Sequence, residues 1–539
     1  MPSRRSGYYG YYPDYRREPR RRIPSPLPYL LIALLAGAGL VYFHFFAFQS
    51  ISGRVLNAYN GKPLAGVPVV LSEVAVAGAT VTTATVTAVP VSPSVSVTAT
   101  TAPDGSFLFE KVPDRRTISV QVEGFAPERL DASGKRNVEI RLVPNMLTGK
   151  VTTPDGKPVV GASVIAGASR AITGPDGAYR LKDLPQEHRL VAKAPGYLAT
   201  EVQFGQVLTQ DVTLQPFVVR AIYLSADTIA SPGKLQSLLD LVDRTELNAV
   251  VIDVKADNSG LVLYDSKLPA VQQMGTKQQI IPDLDALLAD LNRRNIYPIA
   301  RLPVFWDQAA TSARPEWALK SKKAPGQLWV DSYGKRWTNP YNPEVWDYNI
   351  GIAREVALKG FKEIQFDSAY FPSDGELEDI DYGPEGAGKK RVDAIGGFLS
   401  RAYEALSPLG VYVAVDTFGL TPFVQDDMGI GHTLETLAAH VDYICPAIYP
   451  SMFGDGFMGL AKPAEHPAEV VAQTMRSGVA RIASTPARIR PWLQDFSLKV
   501  EYDPAKVRAE IDTAEQNGAV GWMLWNFNNV YTEGALKAP

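Results

Sequence analysis

Residues Gly360–Gly375, GFKEIQFDSAYFPSDG, decide the fold of the C-terminal part of the chain. Apolar and polar residues alternate from Lys362 to Phe366 over a length too short for a helix, which predicts a strand at Glu363–Asp367. Asp367 falls where that strand ends, and Pro372, Ser373 and Gly375 then break the chain into a loop. Taken singly, such an aspartate reads equally well as a helix cap or a turn closure. Inside an alternating β/α array, however, a carboxylate at a strand's C-terminal end lies where a parallel barrel collects its reactive groups.

The flanking sequence supplies that array. Further strands are predicted at Arg220–Leu224, Ala249–Val254, Tyr297–Leu302, Val411–Asp416, Tyr443–Ile448, Arg488–Trp492 and Gly521–Trp525. Amphipathic helical stretches such as Pro232–Thr245, Asp283–Asn295, Pro343–Lys359 and Pro504–Asn517 separate them. Eight strands alternating with helices predict a (β/α)8 TIM barrel over 218–539. A doubly wound sheet is the runner-up, but no Gly-rich phosphate loop follows the first strand.

The predicted strand ends carry a concentrated polar and aromatic set: Asp253 and Lys255, Arg301 with Trp306 beyond it, Asp367, Asp416, Tyr449, Gln494 with Asp495, and Trp525 with Asn526. Buried carboxylates are costly unless paired, so stability alone explains such a set poorly. The bland alternative is an ion-paired ring in which Asp253 meets Lys255 or Arg301. The chemical reading is a pair of carboxyls facing one cleft, one protonated and one ionised, as glycoside cleavage requires. Asp367 is the fixed member, with Asp416 the first choice of partner and Asp495 the second. Trp306, Trp329, Trp337, Trp492 and Trp525 offer flat faces for sugar rings, and Asp253, Lys255, Arg301, Tyr370, Tyr449, Gln494 and Asn526 complete the candidate substrate-binding set.

The segments NAVVIDVKADNSGLVLYDS, IARLPVFWD, WTNPYNPEVWDYNI, GFKEIQFDSAYFPSDG, VDYICPAIYPSMF, IRPWLQDF and GWMLWNFNNVY run in order through nearly all of 218–531. Together they resemble a bacterial family of glycoside hydrolases first grouped as a domain of unknown function. The resemblance implies a TIM barrel and O-glycosyl hydrolase activity without a cofactor. After the fourth strand the family shows FDY, an aliphatic residue, then RFP. This chain has FDSAYFP, with Ser368 and Tyr370 at the Tyr and Arg positions, so the aspartate stays and a guanidinium is lost.

Residues 51–216 hold one pattern twice. GRVLNAYNGKPLAGVPVVL matches GKVTTPDGKPVVGASVIA, and TAPDGSFLFEKVP matches TGPDGAYRLKDLP. Short alternating strands with Asn-Gly and Asp-Gly turns predict two small β-sandwiches, at 51–143 and 145–216. Both resemble the carboxypeptidase regulatory-like (transthyretin-type) domain, which implies a spacer or binding module. The first carries an insertion from Glu73 to Thr100, rich in Val, Thr, Ala, Ser and Pro, that reads as an edge hairpin or a loop.

Before them, Leu27–Phe48 is a charge-free apolar run that predicts a transmembrane anchor in the lipid bilayer. Seven arginines within residues 1–26 place the N-terminus in the cytoplasm and everything from about Ser50 outside it, on a single-pass protein of the bacterial cell membrane. The head itself lacks apolar periodicity and reads as disordered. A net charge of −3 argues against nucleic acid as a partner of the whole chain. One cysteine, Cys445, excludes an intrachain disulfide, and the histidines lack metal-ligand spacing. Five acids in the loop Asp374–Asp381 read as a solvated lid in preference to a calcium site. The expectation is therefore an anchored, extracytoplasmic glycosidase acting on an envelope or extracellular polysaccharide, without metal. The alternative is a weakened barrel that binds glycan or scaffolds an envelope assembly.

Overall fold

The structure, a computed structural model, describes residues 27–45, 49–73, 96–112, 115–185, 187–205 and 209–539. Two units are distinct, Met1–Pro144 and Asn145–Pro539.

In the second unit eight parallel strands close into a barrel: β1 (Arg220–Leu224), β2 (Ala249–Asp253), β3 (Tyr297–Pro303), β4 (Glu363–Asp367), β5 (Tyr412–Phe418), β6 (Tyr443–Ile448), β7 (Arg488–Ile489 and Trp492–Gln494) and β8 (Trp522–Trp525). Neighbours run 5-4-3-2-1-8-7-6, and β5 pairs with β6 to close the ring. The strand boundaries predicted from sequence agree to within a residue or two except at β7. There Arg490-Pro491 interrupts the strand, since proline has no N–H for the ladder.

Side-chain parity explains what each strand shows to each side. Along β2, Val250 and Ile252 pack under the helices while Ala249 and Val251 face the barrel axis, so Asp253 also lies on the axis side. The same alternation puts Tyr223, Arg301, Asp367, Asp416, Trp492 and Trp525 on the axis side. Their strand neighbours Leu224, Leu302, Phe366, Val415, Leu493 and Leu524 belong to the outer core. Every side chain of β2 and β3 is buried, as a strand covered on both faces must be.

Deep in the barrel, Arg490 meets Glu363 through two contacts of 2.7 and 2.8 Å and lies 3.5 Å over the Tyr443 ring. At the N-terminal end of the strands the second sandwich is fastened on. Lys193, fully buried, donates to Asp442 at 2.7 Å and to the Val411 carbonyl at 2.8 Å. The Tyr412 hydroxyl reaches the carbonyls of Ala194 and Tyr197, and the Tyr443 hydroxyl accepts the Gly196 N–H at 2.8 Å. This sandwich therefore forms the floor of the barrel.

The second sandwich pairs a sheet of Ala178–Lys182, Met146–Thr152 and Val212–Thr213 with a sheet of Ser169–Ile172, Ser163–Ala166, Arg189–Lys193 and Thr200–Gln203. The first unit repeats that order: Ser106–Val112, Gln49–Asn57 and Asn137–Leu142 in one sheet, and Ser96–Thr100, Pro68–Glu73, Arg116–Val120 and Glu128–Asp131 in the other. The repeat in the sequence is thus a repeat in topology. The insertion's end forms an edge strand, Ser96–Thr100, antiparallel to Pro68–Glu73, while its middle, 74–95, lies outside the described residues.

The predicted membrane span forms a helix over Leu27–Phe45, and its last three residues, 46–48, lie outside the described residues. Among the described residues no helix is long and apolar enough to cross a membrane. Leu30, Leu31, Ile32, Leu34 and Leu35 are exposed on it. The arginine-rich head lies outside the described residues.

Replacing Lys193 by Met leaves Asp442 buried without its cation, a defect of about 3–5 kcal/mol. The full chain carrying Lys193→Met should show a barrel melting transition at least about 5 °C lower by calorimetry. An unchanged transition would mean that the sandwich is not part of the barrel's stability.

Candidate active site

One guanidinium organises the C-terminal mouth of the barrel. Arg301, from the end of β3, donates through Nη1 to Asp253 of β2 at 2.9 Å and through Nη2 to Asp367 of β4 at 2.7 Å. Its Nε donates to Asp416 of β5 at 3.3 Å, and Asp257 lies 3.9 Å from Nη1. The guanidinium also sits 5.1 Å from the Trp525 ring centre. Trp525 in turn stacks on Tyr223 at 4.3 Å and meets the edge of Trp492 at 5.4 Å.

The three carboxyls differ in their other partners. Asp253 accepts the Tyr223 hydroxyl at 2.5 Å. Asp416 accepts the Trp492 indole N–H at 2.8 Å and the Gln365 amide on Oδ1. Among the described residues Asp367 has the Ser368 hydroxyl, at 3.2 Å, as its one side-chain partner besides Arg301, and it is the least buried of the three. Just beyond it the backbone turns sharply: Ser368 takes a left-handed conformation at φ 48°. The amides of Val304 and Phe305 bind the carbonyls of Asp367 and Ser368, which pins this turn to β3.

Burial and the Asp367 charge push Asp416 up to about 7 against the opposing pull of Arg301, Trp492 and Gln365. Burial likewise pushes Asp253 up to about 6, with Arg301 opposing. Burial disfavours the guanidinium's charge, but Asp367, Asp253 and Asp416 outweigh it and hold Arg301 protonated.

An aromatic wall flanks the carboxyls. Tyr370 packs 5.1 Å from Phe418 and 5.8 Å from Trp337, and Trp337 lies 6.2 Å from Trp306. Both indoles donate to Asp331 at 3.0 Å. Tyr370 thus fills the position of the family's arginine with a ring, while the cation beside Asp367 comes from Arg301.

Several candidate residues stand elsewhere. Lys255 does not meet Asp253. It is fully buried against Asp307 at 2.7 Å, the Pro303 carbonyl and Asn349. Asp495 is 2% exposed and accepts the hydroxyl and amide of Thr532 at 2.6 and 2.9 Å, so it ties down the loop after β8. Gln494 bridges to Ser451 and the Phe496 carbonyl, and Asn526 bonds the Asp495 carbonyl. Trp329 is buried with its N–H on the Glu376 carbonyl. Trp492 is buried and aims its N–H at a carboxyl, which leaves no face for a sugar. Tyr449 stands near Asp416, whose charge adds to burial in raising its hydroxyl.

Sequence reasoning missed Tyr223, Asp257 and Gln365. A signal for Gln365 was present: Glu363, Gln365 and Asp367 are polar at every second position of a strand buried on both faces. In the acidic loop, Asp379 accepts from the Ser321 hydroxyl and the Lys323 amide. Among the described residues no group of His, Cys, Asp or Glu is placed to hold a metal ion.

Residues 221–531 match the family model described as "Putative glycosyl hydrolase domain". The chain belongs to that family. Residues 146–215, the floor sandwich, match the carboxypeptidase regulatory-like domain. Among solved structures, a hypothetical protein from Ruminiclostridium thermocellum is 38% identical over 36% of this chain and 96% of its own, with a TM-score of 0.33. The PgaB (BpsB) glycoside hydrolase domain from Bordetella bronchiseptica is 17% identical over 57% of this chain and 94% of its own, at 0.44. The spore cortex-lytic enzyme SleL from Bacillus megaterium is 12% identical over 60% and 74%, at 0.35. No curated protein matches.

Arg301→Met removes the charge that, among the described residues, alone pairs with these three acids. A carboxyl whose folded pKa is raised above its unfolded value, about 3.9, contributes stability that is lost as pH rises through the folded pKa. With Asp253 at about 6 and Asp416 at about 7, that window runs from about pH 4 to 7, and losing Arg301 extends it upward. The variant's melting temperature should fall further below wild type at pH 8 than at pH 5. Equal deficits at both would contradict the electrostatic account.

Proposed function

We propose that the barrel hydrolyses glycosidic bonds of a polysaccharide, with Asp416 as general acid and Asp367 as nucleophile. The observation that carries this is the unequal grip of one guanidinium on two acids at neighbouring strand ends: 2.7 Å to Asp367 and 3.3 Å to Asp416. The closer carboxyl is the better-paired anion. The other is pushed up to about 7 and holds a proton near neutrality. Neighbouring strands run ~4.8 Å apart, which suits the ~5–5.5 Å separation of a retaining pair.

In the first step Asp416 gives its proton to the glycosidic oxygen. The bond from that oxygen to the sugar carbon breaks, its electron pair stays on oxygen, and the leaving group departs as an alcohol. The Asp367 carboxylate bonds to the sugar carbon. In the second step a water adds to that carbon, its proton returns to Asp416, and Asp367 is released. Arg301 steadies the Asp367 carboxylate throughout, and Trp525 and Trp306 offer half-buried rings for sugar faces.

The rival, a barrel that binds glycan without cutting it, draws on Ser368 and Tyr370 in place of the family pattern. Against it, Arg301 still holds a cation on Asp367 at 2.7 Å despite that loss. Released reducing ends from a polysaccharide panel decide between them. Asp367→Asn and Asp416→Asn should each lower turnover by about 10³-fold or more while glycan binding persists. In wild type, activity should fall as pH rises through about 7, where Asp416 loses its proton. Trp492→Phe deletes a donor that favours the carboxylate, so this basic limb should move upward. A limb that stays put or moves down would rule out Asp416 as the acid.

We also infer that the barrel works on the outer side of a bacterial membrane. The arginine asymmetry around the apolar helix and that helix's exposed leucines support this reading. Protease added to intact cells should remove the barrel. Digestion only after lysis would refute the placement.

A further inference from the structure

Beside the carboxyls, between the loops that follow β5 and β6, runs a cavity of about 680 Å³ lined by Phe418, Leu420, Tyr449, Met452, Phe453 and Phe457, among others. Phe418 and Tyr449 link it to the reactive centre. Phe418 lies two residues beyond Asp416 on β5 and so projects to the same side, and its ring packs 5.1 Å from Tyr370. Tyr449 feels the charges of Asp416 and Asp367 on one side and lines the cavity on the other.

The walls are chemically unlike the rest of the cleft. Phe453 and Phe457 stack at 4.9 Å, and Asp455 is the sole ionisable side chain among the lining residues apart from the Tyr449 hydroxyl. Leu420 and Met452 are 41% and 63% exposed at its rim. Gly419 keeps the wall in place: a Cβ there would meet the Ala447 carbonyl oxygen at 2.5 Å and the Phe453 ring at 3.0 Å. Sugar hydroxyls need donors and acceptors around them, and this cavity offers few. It suits aliphatic chain.

We infer that this groove is the leaving-group subsite and that it takes an aliphatic aglycone, so that the substrate is a glycan joined to an alkyl chain. The assignment rests on the hydrolase reading above. A general acid must stand beside the leaving oxygen, and the groove's Phe418 and Tyr449 are the residues that adjoin Asp416. The alcohol released with the Asp416 proton therefore departs into it.

The probes are methyl, butyl and octyl β-D-glucopyranoside, titrated calorimetrically below micelle-forming concentration into the full chain carrying Asp367→Asn. Each methylene buried should tighten binding roughly fourfold, so three buried methylenes separate octyl from methyl by about 60-fold. Adding Leu420→Glu and Met452→Glu, both at exposed positions, should leave the melting temperature in place and abolish the chain-length gain. Met452→Leu should retain it. Absence of a chain-length gain in the parent overturns the proposal, as does a gain that survives the double glutamate substitution. The readout is binding alone, so it does not depend on turnover. If wild-type protein frees sugar neither from octyl β-D-glucopyranoside nor from the polysaccharide panel, the hydrolase reading falls while the alkyl-binding result stays intact.

Discussion

Arg301 is the residue on which the mouth of this barrel depends. Three carboxyls, Asp253, Asp367 and Asp416, converge on one guanidinium, with Asp257 just beyond. One positive charge cannot neutralise three negative ones, two of them buried. The remaining imbalance is relieved by proton uptake, and it falls on the two carboxyls with the deepest burial, Asp253 and Asp416. A proton held near neutral pH next to a well-paired anion is what acid-assisted cleavage needs. In the proposed mechanism the acid's proton is thus a consequence of incomplete charge pairing.

The lower half of the barrel holds that arrangement in place. Parity along the strands sends every second side chain to the axis, and the lower axis is filled by Tyr297, Tyr412, Tyr443 and the Glu363–Arg490 pair. Below them the second sandwich contributes Lys193 to Asp442. The sandwich is therefore not a passive spacer for this barrel. It supplies a buried cation to an acid that no barrel side chain neutralises by a direct ion pair.

Much of this was legible in the sequence, for physical reasons. Apolar runs mark β1 and β6 and alternation marks β4, so these three were located to the residue, and Asp253, Arg301, Asp367, Asp416 and Trp525 were recognised at strand ends. Repeated Asn-Gly and Asp-Gly turns exposed the two sandwiches. Strand-end position does not say where a side chain points once the strand has stopped, however. Lys255 turned to Asp307, and Asp495, Gln494 and Asn526 were drawn into loop hydrogen bonds. Gln365 was overlooked because it sits inside the strand and not at its end. The Lys193–Asp442 contact joins residues 249 positions apart, and no local pattern announces it. The apolar run before the first sandwich is helical over its described part, Leu27–Phe45.

The central claim is that burial, reinforced by the charged Asp367 beside it, lets Asp416 hold its proton to near neutrality. Carbon-13 NMR of the chain labelled at aspartate Cγ, with the Asp416 signal identified by its loss in Asp416→Asn, follows that proton directly. The account predicts a titration near pH 7 that moves down in Asp367→Asn, where burial remains but the neighbouring charge is gone. A signal that titrates near the ordinary aspartate value of about 4 in both proteins would contradict it.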